Sequence, residues 1–268
     1  MNSILSRVVV VLFLALSARQ SLQAKECGNE DYKGAYGVLA LGSIVGGAPP
    51  EFLGPFARVG RQVSDGKGSV SVESTISING LILPQSFSGT YFVSPDCTIT
   101  FSFLETYPGD IVLPFTVFGV ISENGREVFN TIISPPGTVI RGPIYRRQEK
   151  SNCSNQDLSK GFQLNMSGTI EFQPGVPALG SFTRVGRLEF DGKGGFTAKT
   201  YADYNGFAGI PENFSGTYSV DSLCNVTIEY TLGLTYTWVG TLTDNSSRAD
   251  LIVVSPPGAT VVGTLAQQ

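Results

Sequence analysis

Histidine is absent from all 268 residues. That one absence removes Ser-His-Asp triads, Cys-His dyads and histidine-ligated zinc or iron. No G-x-S-x-G elbow, Walker loop or G-x-G-x-x-G after a strand is present either. Cysteine is scarce, at four residues, and none stands in a C-x-x-C spacing. A zinc site built from four cysteines is therefore the weaker rival to disulfides. Charge is sparse and negative, with 18 Lys plus Arg against 22 Asp plus Glu. Such a chain lacks the electrostatic footprint for nucleic acid. Its one basic cluster, residues 141–150 (RGPIYRRQEK), reads as a solvated linker. Past residue 16 no stretch approaches the 18 apolar residues of a membrane helix, so no integral membrane segment is expected in the mature chain. Nor does any long segment show a helical 3.6 period, while glycine (32) and proline (15) are frequent.

What is present is present twice. FARVGRQVSDGKGSV at 56–70 returns as FTRVGRLEFDGKGGF at 182–196, identical at nine of fifteen positions. FSGTY at 87–91 returns at 214–218, and SPPG at 134–137 returns at 255–258. Cys27 and Cys97 have counterparts in Cys153 and Cys224. The offsets of 121–127 residues exceed the 20–50 residues of a solenoid repeat, so the pattern reads as a duplicated domain.

Residues 1–24 read as a secretory signal: Arg7, an apolar core at 8–16 too short to span a bilayer, and cleavage near Ala24, with Ala18 as the alternative. An uncleaved anchor or a buried strand is the rival reading. Cleavage lowers Lys plus Arg from 18 to 16 against an unchanged 22 acids, moving the net charge from −4 to −6. A secreted or periplasmic destination follows, and there four cysteines read as two disulfides. Of the three pairings, the duplication selects Cys27–Cys97 and Cys153–Cys224, each inside its own repeat. The expected layout is a signal at 1–24, repeat one at 25–146, a linker at 147–152 and repeat two at 153–268.

Alternation of period two marks strands. From Cys97 the inward row is Cys97, Ile99, Phe101 and Phe103; in the second copy it is Cys224, Val226, Ile228 and Tyr230. Turns at 65–68 and 191–194 (Asp-Gly-Lys-Gly), 94–96, 123–125 and 244–246 punctuate the rest. Counting between them predicts eight strands per repeat, near 34–41, 54–63, 68–77, 87–93, 97–104, 112–121, 127–133 and 138–145. Repeat two gives 161–170, 180–190, 195–203, 214–220, 224–231, 235–242, 248–254 and 259–265. The fold class is all-β: two tandem eight-stranded antiparallel up-and-down barrels, with a β-sandwich as the competing layout.

Few polar residues stand out. Arg184 lies on the row Phe182, Arg184, Gly186, Leu188, Phe190, which points it into the barrel, and Arg58 follows on its own row with Phe56 and Gly60. A buried guanidinium must be paired. It would hold an internal carboxylate, cap carbonyls at a barrel mouth, or bind an anionic ligand. A bulge at Gly60 or Gly186 would instead turn both arginines outward. Trp238, with no counterpart in repeat one, either stacks on a ligand or fills space. Arg58, Arg184 and Trp238 are the candidate ligand-binding residues. Asp65 and Asp191 are expected to bond local backbone, with calcium as the rival. Tyr91 and Tyr218 are expected in the core. Glu73 has Lys199 as its counterpart in the other copy, so no shared catalytic glutamate sits there. No catalytic residue, metal ligand or cofactor is identified. Asn152, Asn165, Asn213, Asn225 and Asn245 begin N-x-S/T sequons, which would accept glycans in a eukaryotic secretory pathway.

The order of motifs carries a resemblance. Gly34-Ala35-Tyr36 (Gly161-Phe162 in copy two) is followed by F-x-R-V-G-R, D-G-K-G, F-S-G-T-Y and Asp96-Cys97-Thr98, which copy two replaces by Leu223-Cys224-Asn225. This resembles a group of exported bacterial β-proteins of uncharacterised function, themselves similar to calycin and allene oxide cyclase-type barrels. The resemblance implies a calycin-like fold and says little about chemistry. Three functions follow as expectations. The first is an exported non-enzymatic binding or structural protein, holding a small hydrophobic or anionic ligand in a barrel. The second is an adhesin-like surface interaction module, and the third a cyclase or isomerase. An apolar cavity favours binding, a filled interior favours structure, and an exposed apolar patch favours interaction.

Overall fold

The computed structural model describes residues 26–122, 125–173 and 175–268. The expected signal, and Glu123 and Asn124 of one expected turn, lie outside them. Repeat one folds as β1 (Lys33–Ile44), β2 (Gly54–Asp65), β3 (Ser69–Ile78), β4 (Leu81–Val93), β5 (Thr98–Tyr107), β6 (Ile111–Ser122), β7 (Glu127–Ser134) and β8 (Thr138–Gln148). Repeat two folds as β9 (Gly161–Ile170), β10 (Gly180–Phe190), β11 (Gly195–Tyr204), β12 (Phe207–Val220), β13 (Asn225–Leu232), β14 (Leu234–Thr243), β15 (Arg248–Ser255) and β16 (Ala259–Gln267). Each strand pairs antiparallel with the next; β8 returns to β1 and β16 to β9. Two closed eight-stranded barrels result, and the sandwich alternative is overturned because closure leaves neither sheet an edge. Strands β4 and β12 begin six or seven residues before their expected starts. The apolar-polar alternation there is interrupted by Pro84 and by Gly209 and Pro211, which hid the strand in the sequence.

The alternation sorts inside from outside. Ile99, Phe101 and Phe103, and Val226, Ile228 and Tyr230, are buried in their respective barrels. No bulge occurs at the glycine shared by the two repeats: β2 pairs without a shift through Gly60, and β10 without a shift through Gly186. Close approach explains both glycines. A Cβ would stand 2.3 Å from the Glu73 carbonyl oxygen at Gly60 and 2.3 Å from that of Lys199 at Gly186. The row keeps its direction, and both arginines point inward.

Asp65 and Asp191 bond local backbone as expected. Asp65 Oδ1 accepts from the amides of Lys67, Gly68 and Ser69 at 2.7–3.0 Å, and Asp191 Oδ1 accepts from Lys193, Gly194 and Gly195 at 2.7–2.9 Å. These bonds lower both carboxyl pKa values.

The disulfides are Cys27–Cys97 and Cys153–Cys224. Cross-links of this kind persist in oxidising compartments, extracellular or periplasmic. Each secures a plug. A 3-10 turn (Asn29–Asp31; Asn155–Leu158) follows the first cysteine of each barrel. Asp31 and Asp157 accept from the amides of Gly28 and Ser154, capping the turns. Tyr91 Oη donates within 2.9–3.1 Å of the Asn29 and Tyr32 carbonyls, as Tyr218 Oη does at 3.0 Å to Asn155 and Leu158. Asn29 and Asn155 accept from Val93 and Val220 on the fourth strands.

The barrels pack side by side. Outward residues of β1 and β2 (Leu39, Leu41, Ala57, Val59) meet outward residues of β14 to β16 (Val239, Ile252, Val254, Val262) in a small apolar cluster. This explains why Val59, on the outward row, is buried. Polar links flank the cluster: Ser77 Oγ lies 3.0 Å from Thr260 Oγ1, and the Gly258 amide donates to Gly80 O at 2.9 Å. The basic stretch 141–150 departs from the expected solvated linker. Most of it is strand β8, which reaches Gln148, two residues into the segment 147–152. Arg146 is buried there, donating to Asp250 at 2.9 Å and to Glu127 at 3.1 Å. Burial pushes the Asp250 carboxyl up to about 6, with Arg146 opposing the shift.

Candidate functional site

Arg58 and Arg184 face the centres of the two barrels, so they head the candidate sites. Arg184 extends from β10 into an aromatic box. Its guanidinium carbon lies 5.2, 5.6 and 5.9 Å from the ring centroids of Phe182, Phe214 and Trp238. Glu212 of β12 receives Arg184 Nε at 2.8 Å and Nη2 at 3.1 Å. Thr200 Oγ1 and Tyr204 Oη donate to the same carboxylate at 3.0 and 2.8 Å. Arg184 Nη1 donates to Tyr230 Oη at 2.9 Å. A carboxylate offers about four acceptor sites, and Glu212 has four donors. It has no lone pair left to take a proton from a substrate.

Electrostatics match this closed account. Burial works against the Arg184 charge, but Tyr230 and Glu212 more than offset it and its pKa rises. Burial also raises the hydroxyls of Tyr204 and Tyr230, which stay protonated at neutral pH, Tyr204 donating to Glu212 and Tyr230 accepting from Arg184. Trp238 is fully buried and edge-on to Tyr230, 5.0 Å between centroids. Its indole N–H has no hydrogen-bond partner among the described residues. The geometry is that of a space-filling core tryptophan beside the arginine.

Barrel one solves the same problem from another strand. Arg58 of β2 reaches Glu105 of β5 in a two-pronged contact of 2.8 and 2.5 Å. Tyr107 Oη donates to Glu105 at 2.9 Å, and Phe56 and Phe87 stack near the guanidinium. Of the three roles open to each arginine, holding an internal carboxylate is the one these side chains occupy. The voids beside them are about 20 Å³ in each barrel. That is room for about one water molecule.

Sequence reasoning brought Arg58, Arg184 and Trp238 forward and missed Glu105 and Glu212. The missed pair could not be aligned: Glu105 corresponds to Leu232, and Glu212 to Gln85. Only inward parity on an already assigned strand would have found them. The plug was legible, however, as a repeated C-x-N-x-D (Cys27 to Asp31; Cys153 to Asp157). No group of three or more potential metal ligands occurs among the described residues, and no described helix is long and apolar enough to cross a membrane. No family model, curated protein or solved structure matches the chain.

Proposed function

We propose that the chain is an exported, non-enzymatic structural protein that works through its outer surface, each barrel being a filled, rigid body. The observation that carries this reading is the closed interior: the inner arginine of each barrel is neutralised by its own glutamate. The remaining voids of about 20 Å³ fall far below the several hundred Å³ of small-molecule sites. Two disulfides support export, and the reading includes removal of residues 1–24 near Ala24. On the resemblance drawn from the sequence, the barrels are calycin-like and bacterial, keeping the shell of a ligand carrier with its interior filled. The cyclase alternative lacks support in both interiors, because the acids lining them, Glu105 and Glu212, are committed to arginine.

A second reading has one observation in its favour. The mouth of barrel one is lined by Ile44, Ala48, Phe52, Ile111, Leu113 and Phe115, an apolar collar whose void is also about 20 Å³, so a small hydrophobic ligand would lie across the mouth and not inside it. Native mass spectrometry of protein purified from its own source tests both readings. A mass equal to the cleaved, twice-oxidised chain is the expected result. A co-purifying small molecule would overturn the filled-body reading and support the second.

A further inference from the structure

Each barrel closes on itself around its own core and its own disulfide. The seam between them holds one apolar cluster, whose fully buried members are Ala57, Val59, Ile252 and Val262, and a few polar links. Two bodies joined through so little apolar contact are free to move against one another. At one edge of the cluster stands Asp250 of β15. It alternates with Ala249 and Leu251 of the core, so it points out of its own barrel, yet it is 0% exposed. Barrel one covers it. Arg146 Nη1 of β8 donates to Asp250 Oδ1 at 2.9 Å across the seam. A Cβ on Gly37 of β1 would stand 3.7 Å from Asp250 Oδ2 and 2.4 Å from Thr243 Cγ2, so bare backbone packs against both side chains. Asp250 Oδ2 and Thr243 Oγ1 are buried and have no hydrogen-bond partner among the described residues.

Charge does not balance at this edge. Arg146 also donates to Glu127 of its own barrel at 3.1 Å, so one guanidinium serves two carboxylates. The other charged groups around Asp250 do not make up the difference. Arg248 and Asp244, at the rim, face each other at 3.7 Å. Arg61, opposite Gly37 on β2, donates to Gln148 at 2.8 Å. From β14 and β16 the residues in register with Asp250 are Thr241 and Thr264. Barrel one thus neutralises its arginine without Asp250, and an ionised Asp250 in the closed seam is a surplus negative charge with one bare oxygen. A proton removes that charge; a parted seam lets water solvate it instead. We propose that the contact between the two barrels is a proton-operated clasp, shut while Asp250 carries a proton and eased apart when it ionises. The direction of its titration agrees. The closed form gains from the proton in full below about pH 4 and loses that gain as pH rises through about 6. Opening bares Leu39, Leu41, Val59 and Ile252, so the chain offers a different outer surface above that pH. The clasp goes beyond the filled-body reading and does not depend on it: a co-purifying small molecule would overturn that reading and leave this one standing.

Trapping of a seam cysteine tests the clasp on the full chain with both disulfides formed. V59C places a thiol in the seam, V185C places one on the exposed face of β10, and V72C places one in the core of barrel one. The rate at which iodoacetamide alkylates V59C, divided by the rate for V185C at the same pH, reports the open fraction free of thiol ionisation. For a carboxyl moving from 3.8 to about 6 on closure, that ratio is expected to rise about tenfold from pH 5 to pH 8. D250N is expected to hold it level. E171Q removes the other acid beside the seam that burial raises, next to Gly258, and is expected to leave the rise intact. V72C is expected to stay protected at both pH values, which separates parting of the barrels from unfolding. If V59C is not secreted, V262C gives the same reading from barrel two. A ratio indifferent to pH, a rise that survives in D250N or vanishes in E171Q, or V72C alkylated as fast as V59C each overturns the proposal.

Discussion

Barrel one and barrel two hold the same arginine at the same place on the second strand and neutralise it from different strands. In barrel one the carboxylate comes from β5, two residues before Tyr107; in barrel two it comes from β12, opposite Thr200. The lesson is that the buried cation is the fixed element and its partner is free to move around the wall. Closure makes this easy, because in a small barrel several inward positions converge on the same centre. The second difference is polish. Arg58 keeps 12% of its side-chain surface and Arg184 only 4%. Barrel two also surrounds its pair with Thr200, Tyr204 and Tyr230, where barrel one has Ser74, Ile78 and Phe103.

The sharpest way to break this comparison is to remove each carboxylate. E212Q should destabilise barrel two by about 3–5 kcal/mol, since it leaves a dry guanidinium without its counter-charge. E105Q should cost less, because water reaches Arg58. Urea unfolding followed by tyrosine and tryptophan fluorescence measures both, and equal losses would refute the burial argument.

Next in size is the buried acid between the barrels. Asp250 has a folded pKa of about 6, raised from 3.8 chiefly by desolvation. The folded state therefore holds this proton more tightly than the unfolded chain. Its contribution is fully present below about pH 4 and is lost as pH rises through about 6, a swing of up to about 3 kcal/mol. D250N should abolish that swing. The difference between the wild-type and variant stability curves isolates it from the exposed aspartates of the turns, whose lowered pKa values act with the opposite sign at lower pH.

A transplant then asks whether the carboxylate can move. E105L should cost about 2–4 kcal/mol, and adding Q85E, at the barrel-two position, should recover about half. No recovery would mean that the two sites are not interchangeable. The smallest expected effects test what the barrels share: Y91F and Y218F should each cost about 1 kcal/mol, and by similar amounts, because each hydroxyl ties the same plug by two carbonyl bonds.

Much of this was legible in the sequence, for reasons particular residues make plain. The strand from Cys97 was readable because Ile99, Phe101 and Phe103 alternate with Thr98, Thr100 and Ser102 and face a core on one side only. Arg184 was readable as inward because its row carries Phe182, Leu188 and Phe190. Its partner was not, since no local pattern distinguishes an inward Glu212 from its outward neighbours in Pro-Glu-Asn. Burial of Val59 and Arg146 was illegible for a different reason: their faces are covered by the other barrel, and intrachain periodicity reports only a residue's own sheet.

One consequence of the covalent links concerns assembly of the chain during synthesis. Two halves with matching F-x-R-V-G-R, D-G-K-G and F-S-G-T-Y segments are at risk of exchanging strands, since a β2-like ribbon finds similar neighbours in either sheet. Cys27–Cys97 closes before most of the second half exists, given a vectorial order from the amino terminus. It commits the first four strands to one another and leaves the later copies to seek only their own kin.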